Sequence, residues 1–112
     1  MNRGEIHWVN LGEAIKPEIG KLRPALIVSN TEINTRLDSV VMVPLSSKAP
    51  EIWPLRIKIE TSKLTKELPQ ISYAIILGIR QVSKTRLQKF HGTLNETTLQ
   101  KVDKALIAYL SD

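Results

Sequence analysis

The run Ala25-Leu26-Ile27-Val28-Ser29 restricts the possible folds of this chain more than any other segment. Its near-continuous apolar character is that of a strand buried on both faces. Such a strand needs a covering layer on each side, so the rest of the chain must wrap around it. Arg23-Pro24 stands immediately before the run. A guanidinium beside a buried strand is costly unless it has a charged or polar task. Arg23 is therefore the first candidate for function.

The neighbouring segments supply the wrapping. Glu5 to Leu11 reads as a strand from its Ile, Trp and Val. Residues 12–22 hold two glycines, a proline and two lysines, and read as a long loop. Asn30 to Ser39 is polar and turn-rich. Val40 to Leu45 is a third strand, with Pro44 expected at an edge or bulge. Ser46 to Trp53 is a second loop, and Leu55, Ile57 and Ile59 alternate with charged residues as in a half-buried strand. Thr61 to Ile71 reads as a surface connection, Tyr73 to Ile79 as a buried strand, and Phe90 to Leu94 as a short last strand. The period then changes. Leu99, Val102, Leu106 and Tyr109 recur at helical spacing, with Asn95 as N-cap or Thr93 and Glu96 as a capping box one turn earlier. The expectation is a mainly β fold closed by a C-terminal α-helix, built as a small, strongly bent sheet or barrel.

With 112 residues and no cysteine, the chain is expected to be one domain, 1–112, with neither disulfides nor a thiolate metal site. No apolar run approaches a membrane span and the N-terminus lacks a signal-peptide pattern, so a cytoplasmic protein with no membrane partner is expected. The net charge of +5 suits an anionic partner: nucleic acid, an acidic protein, or both.

Several residues carry possible chemistry. The Arg23 fork fits phosphate oxygens, and it equally fits a structural ion pair with Glu18 or another carboxylate. Ser46 and Ser47 follow Pro44-Leu45 at a strand end. Their hydroxyls suit either donation to a phosphate or a plain turn. Lys21, Arg80, Lys84 and Arg86 form a candidate anion-binding surface, or a solvated basic face. Trp53, in a loop beside Pro54, is the candidate for stacking on a base, while Trp8 is expected in the core. His7 and His91 both fall inside strands, and nothing in the sequence links them to a phosphate site. No metal-ligand cluster, glycine-rich phosphate loop or nucleophile elbow appears, so no cofactor or metal is expected.

Four segments in this order carry a resemblance: Arg3 to Leu11, Gly20 to Asn30, Val43-Pro44-Leu45-Ser46-Ser47, and Ile79 to Leu87. Together they resemble the MazF/PemK toxins, ribonucleases of toxin–antitoxin pairs. The resemblance implies an SH3-like barrel with a C-terminal helix. It implies a cytoplasmic homodimer that cuts single-stranded RNA without metal, leaving 2′,3′-cyclic phosphate and 5′-hydroxyl ends, and that is restrained by a cognate acidic antitoxin. It implies a catalytic role for Arg23 and, as the hydroxyl after Pro-Leu, for Ser46. Glu18, within Pro17-Glu18-Ile19, matches the acidic position of a Ser-Glu-Gln-like triplet as a possible base or loop-ordering residue. Gly78 stands where the family often has glutamine, ahead of Ile79-Arg80. Two rival readings share the fold: a CcdB-like toxin that binds DNA gyrase without catalysis, and an inert basic SH3-like nucleic-acid-binding module.

Overall fold

A computed structural model describes residues 1–12, 22–48, 55–61, 64, 68–69 and 71–111. The strands are β1 (Glu5–Asn10), β2 (Leu22–Ile27), β3 (Ser39–Ser46), β4 (Arg56–Ile59), β5 (Ser72–Ile75), β6 (Arg80–Ser83) and β7 (Leu87–Thr93). The helices among the described residues are α1 (Thr31–Arg36) and α2 (Glu96–Leu110), and 3₁₀ turns at Ile76–Gly78 and Lys84–Arg86 flank β6. All strand pairings are antiparallel, in the order β4-β5-β3-β2-β1-β7, with β6 also pairing β3. The turn Lys84–Arg86 leads β6 directly into β7. The sheet thus curls back toward its own start and forms a small barrel-like roll.

Alternation along the strands separates two cores. Ala25, Ile27, Met42, Val40 and Val9 fill one, with Val82 from β6. Leu26, Val43, Leu45 and Ile6 fill the other, where Ile59, Ala74 and the helix residues Leu99, Val102 and Leu106 cover them. The run Ala25 to Ile27 is thus fully buried on both faces, as its composition required. On α2, the Asn95 side chain accepts the N–H of Thr98 at 2.8 Å, so Asn95 is the cap and no Thr93–Glu96 box forms. Tyr109 is exposed and does not join the core. Arg3 pins the helix to the sheet by pairing with Asp103 and donating to the Val28 carbonyl at 2.9 Å.

Two segments depart from the sequence reading. The expected turn region 30–39 contains helix α1. Its polar residues serve the helix rather than a loop. Asn30 caps it by accepting from the Ile33 N–H at 3.1 Å, and Arg36 reaches Glu32 at 2.8 Å across one turn. Asn34 is buried; its Oδ1 accepts from Ser29 Oγ at 2.6 Å, and its Nδ2 donates to the Met1 and Ser29 carbonyls at 3.1 Å. The second departure is the expected strand Tyr73 to Ile79. It stops at Ile75, turns through Ile76–Gly78, and resumes as β6, which was not expected as a strand. Within β6 only Val82 is buried, so its four residues carry little periodic signal.

β7 bends around β1. Its register with β1 shifts between Ile6 and His7, next to Gly92. Gly92 has φ of 137°, a conformation that L side chains rarely adopt, and a Cβ there would lie 3.4 Å from Leu64.

Candidate active site

Arg23 and Ser46 come from adjacent strands. β2 and β3 pair through Ala25 with Pro44, Leu26 with Val43 and Ile27 with Met42. The same register, extended from Ala25–Pro44 toward the strand ends, carries Arg23 to the position opposite Ser46. Both then share the sheet face of Ala25 and Pro44, because side chains repeat every second residue. Both also line a cleft of about 260 Å³, together with Ser47, Trp8, Leu22, Pro24, Leu45, Leu68, Pro69 and Ser72. Two strand ends have brought a planar cation and a hydroxyl to one opening.

The surroundings fix these groups. Arg23 and Pro24 are half-buried at the end of β2, and Ser46 is half-buried at the end of β3. Ser46 Oγ accepts the N–H of Lys48 at 3.3 Å. That turn occupies a lone pair of the hydroxyl and leaves its proton to donate. Ser47 is exposed beside it. On β5, the strand paired with β3, Ser72 is buried next to Tyr73, the partner of Ser46, with its hydroxyl 3.0 Å from Thr61 Oγ1. Thr61 Oγ1 also lies 2.5 Å from the Pro69 carbonyl, so one buried hydroxyl ties two parts of the wall together.

Trp8 pairs with Pro24 across β1 and β2, packs one side against the core, and lines the cleft. Its ring meets His91 edge-on, with centroids 5.5 Å apart at 71°. Trp8, expected in the core, does pack against it, and it also supplies half-buried aromatic surface to the opening. Sequence reasoning also missed Ser72. Neither position carries a local signal, since only the strand pairings reveal that it borders the cleft. His7 sits within 2.9 Å of Glu5 and edge-on to Phe90.

The basic candidates separate. Arg86 Nη1 donates to the Asn10 carbonyl at 3.4 Å, and Asn10 pairs with Leu22, so Arg86 stands at the Arg23 end of the sheet. Arg80 is half-buried on β6, across from Met42 of β3. Lys84 is anchored by its backbone N–H on the Asp38 carbonyl, at the opposite end of the eight-residue strand β3 from Ser46. Glu18, Lys21 and Trp53 lie outside the described residues. Among the described residues no group of three or more His, Cys, Asp or Glu side chains is placed to hold a metal ion.

A family model described as the PemK-like, MazF-like toxin of type II toxin-antitoxin systems matches residues 2–110. The chain belongs to this family. Among curated family relatives, endoribonuclease MazF9 of Mycobacterium tuberculosis is 32% identical over 115 residues, covering 98% of this chain and 96% of that protein. A probable endoribonuclease MazF of Mycolicibacterium smegmatis is 31% identical over 110 residues, with 98% and 96% covered. The fold is that of solved MazF structures. A crystal structure of MazF from Deinococcus radiodurans superposes with a TM-score of 0.80 at 21% identity, covering 98% of this chain and 96% of that one. This toxin-family chain therefore has relatives named as endoribonucleases along its whole matched length.

Proposed function

We propose that this toxin is an endoribonuclease of single-stranded RNA and that Arg23 and Ser46 are its phosphate clamp. The observation that carries the reading is the β2–β3 register, which brings an obligatory cation and a free hydroxyl donor to one cleft. RNA supplies its own nucleophile, the 2′-hydroxyl, so no metal-bound hydroxide is needed to generate one. Attack on the adjacent phosphorus requires in-line geometry, loss of the 2′ proton, stabilisation of a more negative phosphorane, and protonation of the 5′-oxygen. Arg23 neutralises the phosphorane through parallel N–H donors and passes a proton to the departing 5′-oxygen. Ser46 donates to a non-bridging oxygen. Glu18 takes the 2′ proton or orders its loop. The products carry a 2′,3′-cyclic phosphate and a 5′-hydroxyl.

Ser47, Arg80, Arg86, Lys84 and Lys21 extend the RNA contact by charge and hydrogen bonding, and Trp53 and Trp8 offer surfaces for bases. A cognate antitoxin with an acidic segment competes for the same basic surface and restrains the enzyme in the cytoplasm. A gyrase-binding toxin or an inert basic module would leave RNA uncut; kinship with endoribonucleases favours the catalytic reading. Incubation with a mixed pool of single-stranded transcripts in excess chelator is expected to give discrete cuts, and intact transcripts would refute the reading.

The active form in this reading is a symmetric homodimer. A chain of 112 residues offers a small RNA footprint alone, and an isologous pair is the commonest assembly for such a chain. Sedimentation equilibrium at micromolar concentration is expected to give twice the 12.6 kDa chain mass; the chain mass itself would rule the dimer out.

A further inference from the structure

Gly78 occupies the point at which strand β3, which ends in Ser46, changes partners. One edge of β3 pairs with β6 through Met42 and Arg80, then with β5 through Leu45 and Ala74. The two ladders are out of step, and the intervening 3₁₀ turn Ile76–Gly78 absorbs the difference. Pro44 lies at this junction, between the two ladders. It has no N–H to lose where the edge is not paired. Extending the β3–β6 register from Met42–Arg80 sets Gly78 opposite Pro44.

The fit there is tight. A Cβ built on Gly78 would lie 2.7 Å from Pro44 Cγ and 3.0 Å from Pro44 Cδ, with Ile75 Cγ2 at 3.8 Å. A contact of 2.7 Å cannot persist. The nearest atoms belong to a ring whose φ is fixed, in a residue buried within the strand. Relief therefore has to come from the pucker of the Pro44 ring or from a shift of the backbone at the Pro44–Gly78 junction. Two residues further along the same strand stands Ser46. Gly78 itself is not among the glycines with positive φ, so the requirement is for space and not for backbone freedom.

We propose that Gly78 is a positioning residue: its missing side chain lets the Pro44 ring seat against the 3₁₀ turn, and that seating sets where Ser46 stands relative to Arg23. The inference rests on the ribonuclease reading above. A consequence follows for specificity. In this chain position 78 carries no side chain and the Pro44 ring occupies the space one would take, so no group at 78 reads a base, and base selection falls to the cleft wall and the loops.

The test is a cycle of Gly78→Ala, Pro44→Ala and the double variant. Each is measured by single-turnover cleavage, by affinity for an uncleavable 2′-deoxy RNA analogue, and by thermal melting. Gly78→Ala is expected to slow cleavage about 10²-fold, the scale of a misplacement near 1 Å, while analogue affinity changes less than about threefold. Trimming the ring in the double variant should return cleavage to within about threefold of Pro44→Ala, and return melting with it. If Gly78→Ala does not fold, the double variant still decides, because only relief of this contact restores both folding and cleavage. Wild-type rates in Gly78→Ala, or a double variant as impaired as that single variant, would overturn the proposal. Intact RNA with the wild-type protein would instead refute the ribonuclease reading and leave melting as the measure of the Pro44–Gly78 contact.

Discussion

Arg23→Ala is expected to lower single-turnover cleavage of RNA by about 10³-fold or more while the protein remains folded. The scale follows from charge. The phosphorane carries one more negative charge than the diester, and a guanidinium in a partly desolvated cleft answers that charge with two directed donors. Arg23 is half-buried at the end of β2, beyond the fully buried Ala25–Ile27 segment, so its truncation opens no core cavity. The loss should therefore appear in the chemical step with an unchanged circular dichroism spectrum. Arg23→Lys keeps the charge without the fork and is expected to recover only part of the rate. Near wild-type cleavage by Arg23→Ala would remove Arg23 from the mechanism.

The second large effect is at Ser46. In the proposed mechanism Ser46→Ala removes one neutral donor to the phosphorane, and loss of a single such donor is worth about 10²-fold in rate. The Lys48 N–H that the hydroxyl accepts is exposed and can turn to water, so stability should change little. Ser46→Thr, which restores the hydroxyl with one more methyl group, is expected to retain most of the activity. Equal rates for Ser46→Ala and the wild-type protein, measured at saturating RNA, would show that the hydroxyl donates nothing to the transition state.

Local patterns carried the parts of this fold that depend on local chemistry. The doubly buried Ala25–Ile27 run and the Asn95-capped helix each announce themselves in consecutive residues. Helix α1 did not, because the side chain it buries is the Asn34 amide, bonded to Met1 and Ser29, a tertiary arrangement hidden behind a polar composition. β6 did not, because a four-residue strand with one buried side chain has no period to detect. The site divides in the same way. Arg23 and Ser46 stood out by residue type and by family resemblance. That Trp8 and Ser72 share their cleft is a matter of strand register, which no single segment encodes. The partner change at Pro44 is likewise a property of three strands together.

The central claim is that the RNA attacks itself and that the protein holds the phosphate while it does. It is tested by two otherwise identical single strands in excess chelator. One is all-ribo; the other carries a single 2′-deoxynucleotide on the 5′ side of the mapped cut. The ribo strand should be cleaved to a 2′,3′-cyclic phosphate and a 5′-hydroxyl, and the deoxy strand should stay intact. Cutting of the deoxy strand at that bond, or dependence of the ribo cut on added metal ion, would contradict the account.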